Sequence, residues 1–320
     1  MVRPAIDVVH VGSASRDLTK DDPRGWRLGG GATYAALTTA RLGLRTAALL
    51  GVDPVAAGAD ELDLLSAAGV DLRLVLLEEG PVFENRETPA GRVQRCHAVG
   101  RPIAVPVLPE SWRAAPGWSL VPVAGEIDEA WAAVVPSDGY LAVGWQGMLR
   151  DLAPGAQVAR RAPSPSALLR RADLVGVSHH DVVAGTSLAD LATFLRPGAD
   201  LLVTEGSQGG LLVRIGPDGP AGALRYRPTA SDRETDPTGA GDTFLAALLA
   251  SVLRPAIVGR RRGRGSPDLR FAAAAGSLAV EDVGLAGVPD RTAVLARRAR
   301  VRIRQAVAPS EEAQVGTLET

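Results

Sequence analysis

The sequence predicts an α/β protein with a mostly parallel central sheet and helices on both faces of that sheet. Short apolar runs typical of buried strands alternate with segments of helical periodicity, which is the pattern of repeated strand–helix units. A length of 320 residues allows a large core, in one big domain or two smaller ones. A hydrophobic fraction of 46% with 22% charged residues is normal for a soluble globular protein.

The predicted elements follow one another along the chain. Apolar runs predict strands at Ile6–Val11, Thr46–Leu50, Tyr140–Val143, Leu174–Val177 and Leu201–Thr204. Helices are predicted at Ala32–Leu42, Asp60–Ala68, Ser166–Arg171, Leu188–Leu195 and Gly241–Leu253. The proline-rich segment Arg101–Trp118 is expected to be a connector, and the basic segment Gly259–Gly265 a solvated turn. We expect one domain over residues 1–307 and a flexible tail over residues 308–320.

One segment interrupts this alternation. Val82–Val99 reads "VFENRETPAGRVQRCHAV", with polar and apolar residues mixed on both sides of the turn sequence "PAG". It predicts a β-hairpin, and its mixed faces suit a flap over a site better than a strand in the core. A surface hairpin without a function is the alternative.

Charge and hydropathy exclude several classes of protein. The formal net charge of -1 argues against a dedicated nucleic-acid binder, and no stretch approaches the roughly 18 apolar residues of a membrane helix. The N-terminal sequence "MVRPAIDVVHVG" lacks the apolar region of a signal peptide. Cys96 is the only cysteine, so no internal disulfide can form. We therefore expect no nucleic-acid or membrane partner and a cytoplasmic location.

Lysine is almost absent from the chain, and this excludes two ways of using ATP. A Walker A loop and a protein kinase each need a lysine beside the phosphates. Lys20, the one lysine, lies in "RDLTKDDPR", which matches neither context.

The segment with the clearest chemistry is "TDPTGAGDTFLAALLA", Thr235–Ala250, in which a glycine-rich turn opens an apolar helix. The first N–H groups of a helix and its dipole favour an anion, and residues without bulky side chains let phosphate approach the backbone. Asp242 follows Gly239, Ala240 and Gly241 directly. It could accept a proton from an attacking hydroxyl, or it could be an ordinary helix cap.

This segment resembles the D-T-x-G-A-G-D signature of the ribokinase-like (PfkB) carbohydrate kinases. Four further segments resemble family motifs: "GSASRD" at Gly12–Asp17, the Gly29-Gly30 pair in "LGGGATYAALTTARLG", "TEGSQGG" at Thr204–Gly210 and "FAAAAGSLAVEDVG" at Phe271–Gly284. The resemblance covers nearly the whole chain, and it implies a ribokinase-like fold with a small β lid formed from about residues 13–28 and 82–99.

The resemblance also implies roles for individual residues. The catalytic group comprises Asp242 as base with Gly239, Ala240 and Gly241 as the anion hole. The substrate group comprises Asp17, Gly30 and Thr33. The ATP group comprises Thr204, Gly206 and Gly209. Asp236 would help to hold a monovalent cation such as K⁺.

The chain departs from the family pattern at two positions. The N-x-x-E motif, which tunes Mg²⁺, is replaced by Ser178-His179-His180-Asp181, so Asp181 would act on Mg²⁺ through water from a shorter side chain. The adjacent histidines are expected on opposite faces of a strand, which argues against a shared transition metal. Tyr34 replaces the asparagine typical of ribokinases, and this argues against a ribose pocket.

A narrower resemblance links the chain to inositol-kinase-like members of the family. The proline in "DPTGAGD" and the segment "AVGWQGMLRDL" support it, with Gln146 and Arg150 at the matching positions and Gly144 in place of an acid. Gln146 could bind polyol hydroxyls as donor and acceptor. Alternatively, Gln146 and Arg150 could merely cap the following helix.

The sequence thus predicts an ATP- and Mg²⁺-dependent kinase for a hydroxyl of a small polyol, either a cyclitol such as myo-inositol or a sugar. Two alternatives stay open: a nucleoside kinase of the same fold, using Phe83, Trp145 or Tyr34 against the base, and a non-catalytic ligand-binding protein. A nicotinamide dehydrogenase is disfavoured because no G-x-G-x-x-G follows the first strand. A homodimer is also open, since the hairpin could cover its own pocket or pair with another subunit.

Overall fold

Strands and helices alternate along most of the chain, as the sequence predicts. The structure is a computed structural model that describes residues 5–88, 91–229, 231, 233–260 and 265–306. The predicted tail, residues 308–320, lies outside the described residues, as do the tip of the hairpin at 89–90 and the middle of the basic segment at 261–264.

Within those residues the strands are β1 Val8–Ser13, β2 Arg16–Leu18, β3 Trp26–Leu28, β4 Thr46–Val52, β5 Asp71–Leu76, β6 Val82–Thr88, β7 Gly91–Ala98, β8 Gly117–Leu120, β9 Tyr140–Gly144, β10 Arg150–Asp151, β11 Ala159–Arg160, β12 Leu174–Ser178, β13 Asp200–Thr204, β14 Gly210–Gly216, β15 Gly219–Arg227 and β16 Arg302–Ala306. The helices of the same part are α1 Gly31–Arg41, α2 Glu61–Ala67, α3 Ala167–Arg171, α4 Leu188–Ala192, α5 Ala240–Leu253, α6 Leu269–Ala279 and α7 Arg291–Arg298.

The central sheet is mostly parallel, as predicted. In the described part of the chain it has ten strands in the order β16-β15-β14-β13-β12-β9-β8-β1-β4-β5. All pairs from β13 to β5 are parallel, whereas β14, β15 and β16 add an antiparallel edge. The carboxyl ends of the parallel strands meet at one edge of the sheet, which is where open α/β sheets bind ligands.

Helices cover both faces of this sheet. Side chains that alternate along one strand enter two different cores: Leu49 of β4 belongs to one hydrophobic cluster and Leu50 to the other. The first cluster includes residues of α1, α2, α5, α6 and α7, and the second includes residues of α3 and α4. The layered architecture confirms the predicted fold class.

Helix α5 runs through the middle of the first cluster. Every residue from Thr243 to Val252 is buried, because α5 packs between α1 and α6 as well as against the sheet. Its sequence is therefore apolar on all sides rather than on one stripe. This packing fixes the position of the α5 N-terminus, on which the predicted catalytic motif lies.

The predicted hairpin belongs to a second, smaller sheet. Among the described residues this sheet has four strands in the order β3-β2-β6-β7, so it combines parts of both predicted lid segments. The outer edge of β7 is hydrogen-bonded to a segment of the same chain: Cys96 N donates to Ala156 O (2.9 Å) and Val158 N donates to Gln94 O (2.8 Å).

Several predicted boundaries differ from the structure. The predicted connector Arg101–Trp118 runs into β8, a central strand between β1 and β9. The first strand is Val8–Ser13 rather than Ile6–Val11, and α4 ends at Ala192 rather than Leu195. In the part of the chain that is described, no helix is both long and apolar enough to cross a membrane.

His10 is an ionisable residue at the centre of β1. Its side chain is fully buried, with Nε2 lying 2.9 Å from Thr39 Oγ1 and with no hydrogen-bond partner at Nδ1. Burial lowers the pKa of His10 from 6.5 to about 3, because the charged ring would lose its hydration. Between these two pH values the unfolded chain binds a proton that the folded chain does not.

We therefore expect the free energy of unfolding to fall as the pH drops below about 6.5, by up to about 1.4 kcal/mol per pH unit from this residue. His10→Gln keeps a neutral hydrogen-bonding side chain and should remove that part of the dependence. Urea denaturation of both proteins between pH 7.5 and 5 measures the difference in slope. Parallel pH curves would show that His10 does not limit acid stability.

Candidate active site

The site is built around the turn that opens α5. Gly239 has φ 76°, and a Cβ at this position would lie 2.2 Å from Cε1 of Tyr34, so both the backbone and the packed ring require glycine. Gly241 is exposed, and a Cβ there would meet no atom within 4 Å. The first turn of the helix therefore faces open space, where its N–H groups and dipole favour an anion.

Asp236 holds this turn in place. Its Oδ1 accepts a hydrogen bond from Thr238 N (2.9 Å), and its Oδ2 accepts one from Gly284 N (3.1 Å). The carboxylate thus joins the turn before α5 to the loop after α6. The role of Asp236 in binding a monovalent cation stays a prediction.

Asp242 lies in the first turn of α5 and is partly exposed. It packs against the start of α1, where a Cβ on Gly31 would lie 2.7 Å from Asp242 Oδ1. Burial is the main influence that raises the pKa of Asp242; Arg150 lowers the pKa, Asp181 and Asp17 raise it, and the net value is about 7. A carboxyl group with this pKa can accept and release a proton near neutral pH.

The predicted substrate residues Asp17, Gly30 and Thr33 lie on the first strand of the small sheet and at the start of α1. Asp17 Oδ1 accepts a hydrogen bond from Ser15 Oγ (2.9 Å). Gly30 is the residue before α1, with φ 98°. Thr33 is fully buried, and its hydroxyl donates to Gly29 O (2.9 Å) and Gly30 O (2.6 Å). Its side chain therefore stabilises the conformation of the Gly29-Gly30 loop.

Arg150 follows β9 and lies among acidic groups. Its Nη1 donates to Val123 O (3.1 Å), and its Cζ lies 5.3 Å from the centre of the Phe83 ring. Burial lowers the pKa of Arg150 below its ordinary value, whereas Asp181, Asp17, Asp242 and Glu126 raise it. The structure thus brings a positive charge to the carboxylates that the sequence assigned to catalysis, substrate and Mg²⁺.

Gln146 and Asp181 also meet in this region, although separate roles are predicted for them, in the acceptor pocket and at Mg²⁺. Gln146 Nε2 donates to Asp181 Oδ1 (3.2 Å), and Asp181 N donates to Ser178 O (2.9 Å) at the end of β12. A single partly exposed carboxylate fits Mg²⁺, which keeps most of its waters and otherwise binds phosphate oxygens. In the described chain, no group of three His, Cys, Asp or Glu side chains could hold a metal ion by itself.

The expected orientation of His179 and His180 is wrong. β12 ends at Ser178, so both histidines lie in a turn, with their ring centres 3.7 Å apart rather than on opposite faces of a strand. His179 is tied to Thr204, whose carbonyl oxygen accepts its backbone N–H (3.0 Å) and lies 3.1 Å from its Nδ1.

The predicted ATP-binding residues Thr204, Gly206 and Gly209 form one turn at the end of β13. Gly209 N donates to Gly206 O (3.1 Å), and Glu205 N donates to Gly209 O (2.8 Å). The contacts of Thr204 with His179 place this turn beside the Ser178–Asp181 segment. The structure thereby brings the predicted ATP loop and the predicted Mg²⁺ residue to neighbouring strand ends.

Two further residues belong to the framework of this region: Tyr34, for which the sequence suggested only a role in the pocket, and Glu126, which no motif indicates. Tyr34 is buried against Gly239, and burial together with Asp17, Asp236 and Asp242 raises the pKa of its hydroxyl well above its usual value. Glu126 is buried and accepts three backbone N–H groups. Its only signal in the sequence is an acid in an otherwise apolar stretch, "VPVAGEI".

Part of the chain matches a known protein family. Residues 156–291 match the family model of the pfkB family carbohydrate kinases. No curated protein matches the chain. The family match confirms the resemblance predicted from the sequence motifs.

Solved structures show the same fold at low identity. A pyrophosphate-dependent kinase in the ribokinase family, solved with a pyrophosphate analog and myo-inositol, has a TM-score of 0.67 at 19% identity, over 91% of this chain and 99% of that chain. Arabidopsis thaliana ribokinase with ribose and ATP has a TM-score of 0.61 at 20% identity, over 92% and 99%. Methanocaldococcus jannaschii nucleoside kinase has a TM-score of 0.64 at 16% identity, over 92% and 99%. The ribokinase-like fold is thus confirmed, and together with the family match it supports a kinase.

We expect kcat/KM for phosphotransfer to fall about tenfold per pH unit below about pH 7, because only ionised Asp242 can accept the hydroxyl proton. Asp242→Asn should lower kcat by about 10²- to 10⁴-fold and keep the folded structure. Steady-state rates from pH 5.5 to 9 and circular dichroism measure the two effects. Asp190→Asn, in the cap of α4, is the matched control and should keep the wild-type profile. Near-normal turnover of Asp242→Asn would exclude it as the base.

Proposed function

We propose that this chain of ribokinase-like fold, with its match to the pfkB carbohydrate kinases, is an ATP-dependent kinase for a hydroxyl of a small polyol. The observation that carries the proposal is the open first turn of α5 beside Asp242, a carboxyl group with a pKa of about 7. An anion cradle next to a base is what phosphoryl transfer to an alcohol requires.

The proposed reaction transfers the terminal phosphoryl group of ATP to the acceptor hydroxyl. Asp242 accepts the proton of the acceptor hydroxyl, and the oxygen of that hydroxyl forms a bond to the terminal phosphorus of ATP. The bond from this phosphorus to the bridging oxygen breaks, and ADP leaves with the electron pair. The N–H groups at the start of α5 and the Arg150 guanidinium offset the negative charge of the transferring group.

The residues proposed to bind the acceptor favour a small polyol as substrate. Asp17, Gln146 and Arg150 offer a carboxylate, an amide and a guanidinium, which together can bind several adjacent hydroxyls. The small sheet, with residues 13–28 and 82–99, would act as a lid that excludes water. The myo-inositol bound by one structural neighbour favours a cyclitol among the possible polyols.

The proposed binding site for the phosphate donor lies at the ends of the neighbouring strands β12 and β13. Thr204, Gly206 and Gly209 would contact ATP, and Asp181 would hold Mg²⁺ through water. Bound Mg²⁺ would neutralise the phosphate oxygens of the donor. Pyrophosphate is a second candidate donor, because the structural neighbour solved with myo-inositol is pyrophosphate-dependent. A K⁺ requirement through Asp236 and a cytoplasmic location also belong to the proposal.

A nucleoside acceptor is disfavoured by one observation. The three aromatic residues that could stack on a base, Tyr34, Phe83 and Trp145, are 2%, 2% and 1% exposed. Stacking would need one of these faces to become accessible. The proposal therefore ranks cyclitols and sugars before nucleosides.

The acceptor and donor are tested together, with phosphorylated products detected directly by ³¹P NMR. Cyclitols, ribose and adenosine are each combined with ATP or pyrophosphate in the presence of Mg²⁺. We expect a cyclitol to give the highest kcat/KM, and Asp17→Ala to lower it roughly 10- to 100-fold for every accepted polyol, because about 1–3 kcal/mol is lost per unmatched polar group. Adenosine as the best acceptor, with Gln146→Ala silent, would exclude the cyclitol. No product from any pair would favour a non-catalytic binding protein.

Asp181→Ala should raise the Mg²⁺ concentration needed for half-maximal rate, because the carboxylate would no longer hold the hydrated ion. Mg²⁺ titrations at saturating donor and acceptor measure this value. Gln146→Ala is the control, since it removes the hydrogen bond to Asp181 but keeps the carboxylate. An unchanged titration for Asp181→Ala would leave this residue a role in the turn after β12 only.

A further inference from the structure

Glu126 is a buried acid that the proposed reaction does not use. It lies in the loop after β8 and is 3% exposed. Its carboxylate accepts hydrogen bonds from the backbone N–H groups of Ser13 (2.8 Å), Val123 (3.1 Å) and Ala124 (2.8 Å). Hydrogen bonds to a charged acceptor are stronger than neutral ones, so this carboxylate fastens the backbone at three points.

The three donors come from two separate parts of the chain. Ser13 ends β1 and precedes Asp17 by four residues, whereas Val123 and Ala124 follow β8. Glu126 therefore joins the segment that leads to Asp17 with the loop that follows the neighbouring strand β8.

Val123 connects this loop to Arg150. Its N–H donates to Glu126, and its carbonyl oxygen accepts the hydrogen bond from Arg150 Nη1 (3.1 Å). Its side chain packs with Phe83 and Cys96 of the small sheet, and the Arg150 guanidinium lies over the Phe83 ring. The two backbone groups of one residue thus connect the buried acid to the arginine of the site.

We propose that Glu126 is a positioning residue that acts through Val123 to hold Arg150 at the carboxylates Asp17, Asp181 and Asp242. The role in catalysis rests on the proposed kinase function. Without the three hydrogen bonds, the loop after β8 would lose its fixed conformation and Arg150 its backbone anchor. The distances from the positive charge of Arg150 to Asp242 and to the transferring phosphoryl group would then vary. Electrostatic catalysis depends on charges that are held in fixed positions.

A purely structural role makes a different prediction, and Asp268 supplies the matched control. Asp268 is also 3% exposed and caps α6, where it accepts a hydrogen bond from Phe271 N (3.0 Å) and pairs with Arg298 (2.5 Å). It lies at the end of α6 opposite to Gly284, which contacts the site through Asp236. Asp268→Asn should therefore destabilise the fold without touching Arg150.

The kinetic test is a double-mutant cycle on the full chain. We expect Glu126→Gln to lower kcat about 10- to 100-fold, and Glu126→Gln with Arg150→Met to be no slower than Arg150→Met alone, because both changes remove the same positioned charge. Asp268→Asn should combine additively with Arg150→Met. Additive loss for Glu126→Gln would overturn the proposal. If Glu126→Gln does not fold, Glu126→Asp, which keeps the charge on a shorter side chain, enters the same cycle.

A second measurement needs no activity. The Nε–Hε resonance of Arg150, assigned by its loss in Arg150→Met, is followed by NMR in wild type, Glu126→Gln and Asp268→Asn. We expect a changed shift and faster guanidinium motion in Glu126→Gln only; an unchanged signal there would overturn the proposal. A wild-type chain without phosphotransfer would refute the kinase function, whereas this NMR result would still decide whether Glu126 positions Arg150.

Discussion

The close approach of the N-termini of α1 and α5 is the constraint on which the site depends. The Asp242 carboxylate lies where a side chain on Gly31 would be, and the Tyr34 ring lies where a side chain on Gly239 would be. Two helix ends with positive dipoles thus converge on one small volume, which suits an anion. The same packing removes water from Asp242 and so raises its pKa toward neutrality.

The fold was predictable where strands and helices are uniformly apolar, and less so elsewhere. The strand β4 and the helix α5 are buried over nearly their whole length, so their composition alone identifies them. The predicted connector Arg101–Trp118 overlaps the first half of the central strand β8, because prolines precede this strand and its four residues carry no alternation. The antiparallel strand β15 contains glycines and arginines, and it is stabilised by pairing with β14 on one side and β16 on the other.

The candidate site was predictable as a set of motifs but not as a set of contacts. The local sequence predicts that Asp242 lies in the first turn of a helix, because a glycine-rich turn followed by an apolar run is typical of a helix N-terminus. It could not show that Glu126 reaches Ser13, because the two residues are 113 positions apart and meet only through the sheet. It also placed Thr33 in the pocket, whereas the first turn of α1 directs its hydroxyl to the carbonyl oxygens of the glycine loop.

The contacts of the side chain at position 150 explain why this residue is an arginine rather than a lysine. A planar guanidinium can donate to a carbonyl oxygen and lie over an aromatic ring at the same time, as Arg150 does with Val123 and Phe83. An ammonium group is a more strongly hydrated point charge, and burial lowers its pKa from a lower starting value than that of a guanidinium. Arg150 stays charged when buried, so proton transfer in the site is left to Asp242, whose pKa is near neutral. The division between a fixed charge and a titrating one follows from the side chains that pack there.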